Sequence, residues 1–129
     1  MTARISPAAL QRVVAASSLE WKLTHGMAFG LESASPLQRA LCRVSDGAPL
    51  GGLSSNAEVQ RAFGDVSALP ARSPLELYIL SGIRTGKSLL AACAAFHMAV
   101  TSDVSHLRSG EIPRVSVVSL KKDLGEVVL

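Results

Sequence analysis

The stretch LELYILSGIRTGKSLL, from Leu75 to Leu90, constrains the fold more than any other part of the chain. An apolar run breaks into a short loop holding Gly82, Arg84, Gly86, Lys87 and Ser88, and a second apolar run follows. LELYIL is bounded by Pro74 and Gly82 and carries Tyr78 and Ile79, so it reads as a strand. Ser73-Pro74-Leu75-Glu76 also has capping-box spacing, which makes a helix the competing reading, but Gly82 cuts the run too short for one. From Gly86 to about Thr101 the sequence is rich in Ala and Leu without a breaker and reads as a buried helix. Two charges between core-like segments need a reason to be there.

Strand, glycine loop, Gly-Lys-Ser and helix form the context of a phosphate-binding P-loop. Gly82 and Gly86 let backbone N–H groups turn toward a β-phosphate, and the helix N-terminus aims its positive end at the same point. Lys87 supplies a mobile cation for the β and γ oxygens, and Ser88 a hydroxyl for Mg²⁺. The standard pattern G-x-x-x-x-G-K-[ST] wants glycine where Ser81 stands, a residue small enough to turn there. The competing reading is a helix cap that binds nothing.

Upstream, Ser6-Pro7 opens an N-terminal helix in which Leu10, Val13, Val14 and Trp21 recur until Gly26. Ser35-Pro36-Leu37-Gln38 opens a second, with Leu37, Ala40, Leu41 and Val44 inward and DGAPLGG ending it. Ser55-Asn56-Ala57-Glu58 starts a short third that stops near Gly64. GDVSALPARSP and DVSHLRSGEIP read as loops, and RVSVVSL as a second strand. The fold expected is α/β: an incomplete P-loop NTPase over residues 1–129, with a helical lead-in (1–70) and a core (71–129). In that core a parallel sheet begun by residues 75–80 and 114–120 packs on the helix from Gly86.

The order PLQRALCRVSDGAPLG, ELYILSGIRTGKSLLAA, GEIPRVSVVSL resembles the N-terminal part of the ATPase domain of large terminase subunits, the motors that package DNA into tailed-phage heads. The resemblance spans roughly residues 30 to 129, and its most specific element is the arginine before Gly-Lys-Ser. The family loop often reads G-x-R-S-G-K-[ST], which Gly82-Ile83-Arg84-Thr85-Gly86-Lys87-Ser88 matches with Thr for Ser. The resemblance implies that these residues bind ATP and Mg²⁺, that Lys87 and Arg84 act in catalysis with Arg84 approaching the γ-phosphate, and that Gln38 reads adenine. It implies duplex DNA, a portal and a small terminase subunit as partners, homo-oligomerisation of the complete motor, and a place in the host cytoplasm during virion assembly.

Each of these roles has a plainer competitor. Arg84 also reads as a solvated loop charge, and Gln38 as the far half of a capping box with Ser35. Arg39 and Arg43, one turn apart, face DNA phosphates or form a solvated helix face. Cys93 and His97 at i and i+4 read as core residues, since two ligands make no structural zinc site. His25 and His106 sit in loop-like contexts with no identifiable partner.

An active P-loop motor also needs an apolar strand ending in Asp-Glu, and none follows Ser88: RVSVVSL runs into Lys121 and Lys122, with Asp123 beyond. The acidic nuclease domain of the family is missing as well. The expectation is therefore the front portion of a terminase ATPase domain, a fragment or truncated gene product that binds ATP without turnover. The alternative is an inactive P-loop remnant acting as an interaction piece. A P-loop small-molecule kinase would need substrate-binding motifs that the chain does not show.

Composition sets the outer bounds. A net charge of +3 suits phosphate-bearing partners without arguing for nucleic acid. Cys42 and Cys93 stand apart, as free thiols in a reducing compartment do. LLAACAAFHMAV is too short to span a bilayer, and the N-terminus carries no secretory pattern, so a cytoplasmic chain is expected.

Overall fold

The computed structural model describes residues 6–82 and 85–116. The chain divides into two compact units, one of residues 18–83 and one joining the N-terminal residues through 17 to those from 84 onward. In the first lie α2 (Leu19–Thr24), α3 (Pro36–Asp46) and α4 (Ala57–Phe63), with short 3-10 turns at Gly51–Ser55 and Val66–Ala68. In the second lie α1 (Pro7–Ala16) and α5 (Lys87–Thr101), which pack on each other.

No strand forms among the described residues, so the parallel sheet of a P-loop NTPase is not the architecture of this chain. Residues 75–80 carry no regular secondary structure, with a bend at Leu75, and none of their backbone groups pairs with another described residue. Leu75, Tyr78 and Leu80 stand open to solvent. An extended segment becomes a strand only when a neighbour takes up its N–H and C=O groups. The competing helix is not formed either, and both members of the capping pair make other contacts. The Ser73 hydroxyl donates to the Ser45 carbonyl (2.7 Å), and Glu76 accepts from the Tyr78 hydroxyl (2.7 Å). Residues 114–116 carry no regular structure, and the remainder of the second expected strand, 117–120, lies outside the described residues.

The single N-terminal helix expected through Gly26 is two helices. Ser17 turns extended (φ −79°, ψ 154°), and its hydroxyl donates back to the Val14 carbonyl (2.8 Å), closing α1. Ser18 then caps α2 by accepting from the Trp21 N–H (3.1 Å). Adjacent serines offer the backbone two local partners outside a helix, and here both are taken. The break sits at a cap that periodicity does not register.

α3 begins as its sequence predicts. Ser35 Oγ accepts from the Gln38 N–H (3.2 Å) while Gln38 Oε1 accepts from the Ser35 N–H (2.9 Å), a complete capping box. Its buried residues are Ala40, Cys42 and Val44, whereas Leu37 and Leu41 are only half-buried. Ala40 and Val44 join Leu50 and Val59 in a core that Leu53, Phe63, Val66 and Leu69 cover. Val59 is fully buried, worth about 1.5–3 kcal/mol against an exposed side chain. α4 starts at Asn56, not Ser55, since the Asn56 carboxamide accepts from the N–H of both Glu58 and Val59. α5 is present but largely uncovered: Cys93 is its buried residue, and Phe96, Met98 and Val100 are exposed. No helix among the described residues is long and apolar enough to cross a membrane.

Gly47 ends α3 in the left-handed region (φ 67°, ψ 21°), and the backbone of Arg72 and Ser73 lies directly over it. A Cβ there would stand 2.2 Å from the Arg72 carbonyl carbon and 2.2 Å from the Ser73 nitrogen. At Gly30 (φ 67°) the nearest atom to such a Cβ is 3.6 Å away. Gly30→Ala therefore carries the left-handed penalty alone, about 1–2 kcal/mol. Gly47→Ala must also displace a backbone segment, and it is expected to cost at least about 2 kcal/mol more. Urea unfolding followed by Trp21, the chain's single tryptophan, reads the difference within the unit of residues 18–83.

Candidate nucleotide-binding site

The N-terminus of α5 differs from those of the other α-helices among the described residues. Ser6, Ser18, Ser35 and Asn56 each place a side-chain oxygen on a first-turn N–H. α5 has Gly86 at its N-cap, in the left-handed region (φ 74°, ψ 17°), and no side chain caps it. Its first helical bond runs from the Leu90 N–H to the Gly86 carbonyl (3.0 Å). The first turn contains no acidic residue and begins with Lys87. A cation at the positive end of a helix dipole is electrostatically unfavourable, and an anion bound there would offset it.

Thr85, Gly86, Lys87 and Ser88 are all exposed at this terminus. Lys87 and Ser88 thus open α5, where they are expected to reach a phosphate and its metal. Gly82 is exposed and outside any regular element. Ile83 and Arg84 lie outside the described residues. Gln38 is half-buried in the first turn of α3, with its carbonyl oxygen committed to the Ser35 N–H. That oxygen is one half of the amide pair that adenine recognition would use.

Arg39 and Arg43, each about a third exposed, are bound within the unit that holds them. Arg43 grips the Glu20 carboxylate with Nε (2.6 Å) and Nη2 (3.3 Å) while its Nη1 donates to the Leu50 carbonyl (2.8 Å). Arg39 donates to the carbonyls of Ala34 (3.2 Å) and Glu32 (3.1 Å), with Nη1 at 3.9 Å from the same Glu20. The spacing of the arginines was legible in the sequence. Their partner, 23 residues before Arg43, was not.

His25 has a partner as well. It stacks on Trp21 (ring centroids 4.2 Å apart, planes at 15°), and its Nδ1 accepts from the Met27 N–H (3.2 Å). His106 is exposed. Cys93 is buried and His97 half-buried, and no group of three or more His, Cys, Asp or Glu able to hold a metal occurs among the described residues. Two carboxyls are held below their usual range by local turns. The Ser67 hydroxyl and then its N–H act on Asp65, and the Ser105 N–H and then its hydroxyl act on Asp103. No family model matches this chain, and no curated protein or solved structure matches it.

Two substitutions separate structural work from binding. Glu20→Ala strands two guanidinium groups that are about a third exposed, and it should cost about 1–2 kcal/mol by urea unfolding. Gln38→Ala removes half of a capping box, at about 1 kcal/mol or less. An unchanged ratio of ATP to GTP affinity in Gln38→Ala would assign that residue to the cap alone, and a loss confined to ATP would assign it to adenine.

Proposed function

We propose that the loop ending in Gly86-Lys87-Ser88 binds the phosphates of ATP with Mg²⁺, and that the chain supplies this element to a DNA-packaging motor of the large-terminase kind. The reading asks for a loop and a helix and takes no sheet from the chain. The observation that carries it is the start of α5: a left-handed Gly86 at the N-cap, which offers no capping side chain, and a lysine at the first helical position. In this reading the first-turn N–H groups take β-phosphate oxygens, Lys87 takes the β and γ oxygens, and Ser88 ligates Mg²⁺ through its hydroxyl. Arg84 is assigned to the γ-phosphate by its place in the motif. Packaging rests on the resemblance of the arginine-bearing loop alone.

Binding is proposed without turnover. Hydrolysis needs a group that orients the attacking water and completes the metal site, and no Asp-Glu pair ends an apolar run after Ser88. Phosphate release by this chain is expected to stay at background with or without duplex DNA. A second reading, an interaction piece without nucleotide, draws support from the exposed apolar side chains of residues 75–80.

The test is a titration of a fluorescent ATP analogue with Mg²⁺ into the wild type, Lys87→Ala and Gly86→Val. Loss of the lysine should weaken binding by about tenfold or more, the worth of a hydrogen bond to a charged group. Gly86→Val should weaken it too, because a β-branched residue does not hold φ 74°. Equal affinity in all three proteins, or none in the wild type, overturns the assignment.

A further inference from the structure

Ser73-Pro74-Leu75-Glu76 repeats, with Glu for Gln, the tetrad Ser35-Pro36-Leu37-Gln38 that opens α3. At Ser35 the tetrad does what its spacing promises: each side chain takes the other residue's backbone N–H, and Pro36 leads the helix. Ser6-Pro7 likewise opens α1. Ser73-Pro74 opens nothing, although Gly82 stands where a helix from Pro74 to Ser81 would end. Shortness is no obstacle in this chain, where α2 has six residues and α4 seven.

What differs at Ser73 is where the two side chains go. The Ser73 hydroxyl donates to the Ser45 carbonyl in the last turn of α3 (2.7 Å), and the Glu76 carboxylate accepts from the Tyr78 hydroxyl (2.7 Å). Backbone groups of residues 75–80 bond to no other described residue, and Leu75, Tyr78 and Leu80 stand open to solvent. The two side-chain contacts are what a helix here would have to exchange.

We propose that residues 74–81 exchange between this open form and a helix capped by Ser73 and Glu76, with the Ser73 hydroxyl as the switch. In the open form the hydroxyl donates to α3. In the helical form it accepts from the Glu76 N–H, and the Glu76 carboxylate returns to the Ser73 N–H. The open form keeps the chain tied to α3. The helical form closes backbone bonds that the open form leaves to water, sets Leu75 one turn from Ile79, and puts Glu76 in the first turn, where the dipole favours it. A helix of this length is marginal by itself, so the helical form is the minor one. Its formation draws these eight residues into about 12 Å and so sets the distance from Ser73 to Gly82, where the glycine loop begins. No phosphate contact enters the proposal, and its failure leaves the nucleotide reading untouched.

Two substitutions at one position decide it. Asp is as good an N-cap as Ser but cannot donate to the Ser45 carbonyl, and its charge is repelled by the negative end of α3. Ala can neither donate nor cap. Backbone Cα and Cβ chemical shifts of residues 75–80, measured in the full chain, read the balance directly. Ser73→Asp should raise the ratio of helical to open form about fivefold, the worth of the one hydrogen bond it removes from the open form. Ser73→Ala, which loses the tether and the cap together, should leave the ratio near its wild-type value. Shifts in Ser73→Asp that stay at wild-type values overturn the proposal. So do equal rises in the two variants, which would mark release from α3 without capping.

Discussion

The carboxylate of Glu20 is the fixed point of the larger unit. It lies in the first turn of α2 and takes a two-pronged grip from Arg43 in the last turn of α3, while Arg39 approaches from one turn earlier. A second bond anchors the same pair of helices, since Asp46 at the end of α3 accepts from the Leu19 N–H at the start of α2 (2.7 Å). Arg43 also holds the Leu50 carbonyl, and Leu50 is a member of the apolar core. One guanidinium thus joins two helices and a core-bearing loop, a task for which its planar fork of donors is suited and an ammonium is not. With α3 so placed, its left-handed end at Gly47 receives the backbone of Arg72 and Ser73, from which the chain runs on into residues 75–80.

Local chemistry in this chain is legible because it is local. Ser35 and Gln38 announce their helix three residues apart, Gly47 and Gly64 end theirs at positive φ, and the helix expected from Gly86 runs to Thr101. What the residues do not announce is decided at a distance. Arg39 and Arg43 carry the same spacing whether they meet solvent, phosphate or Glu20. Ser17 and Ser18 suit a helix interior poorly, but only their caps show that they end one helix and begin another.

The expected sheet fails for the same reason in stronger form. LELYIL has the composition and length of a strand, but no regular structure forms there. Strand identity is nevertheless a property of a pair, and among the described residues the pair is missing. Of the candidate site, the start of α5 at Gly86-Lys87-Ser88 was legible as a glycine turn opening a helix. The commitment of Gln38 Oε1 to a cap was one of two readings its sequence left open.

The central claim is that an anion belongs where Lys87 meets the uncapped start of α5. The most direct measurement is a backbone amide chemical-shift titration with Mg²⁺ and ATP, repeated with inorganic tripolyphosphate to isolate the phosphate contribution. Saturable shifts concentrated on the amides of Gly86, Lys87, Ser88 and Leu89, produced by both ligands and lost in Lys87→Ala, are the result this account predicts. Absent shifts, or shifts scattered over lysines and arginines with these amides unmoved, would contradict it.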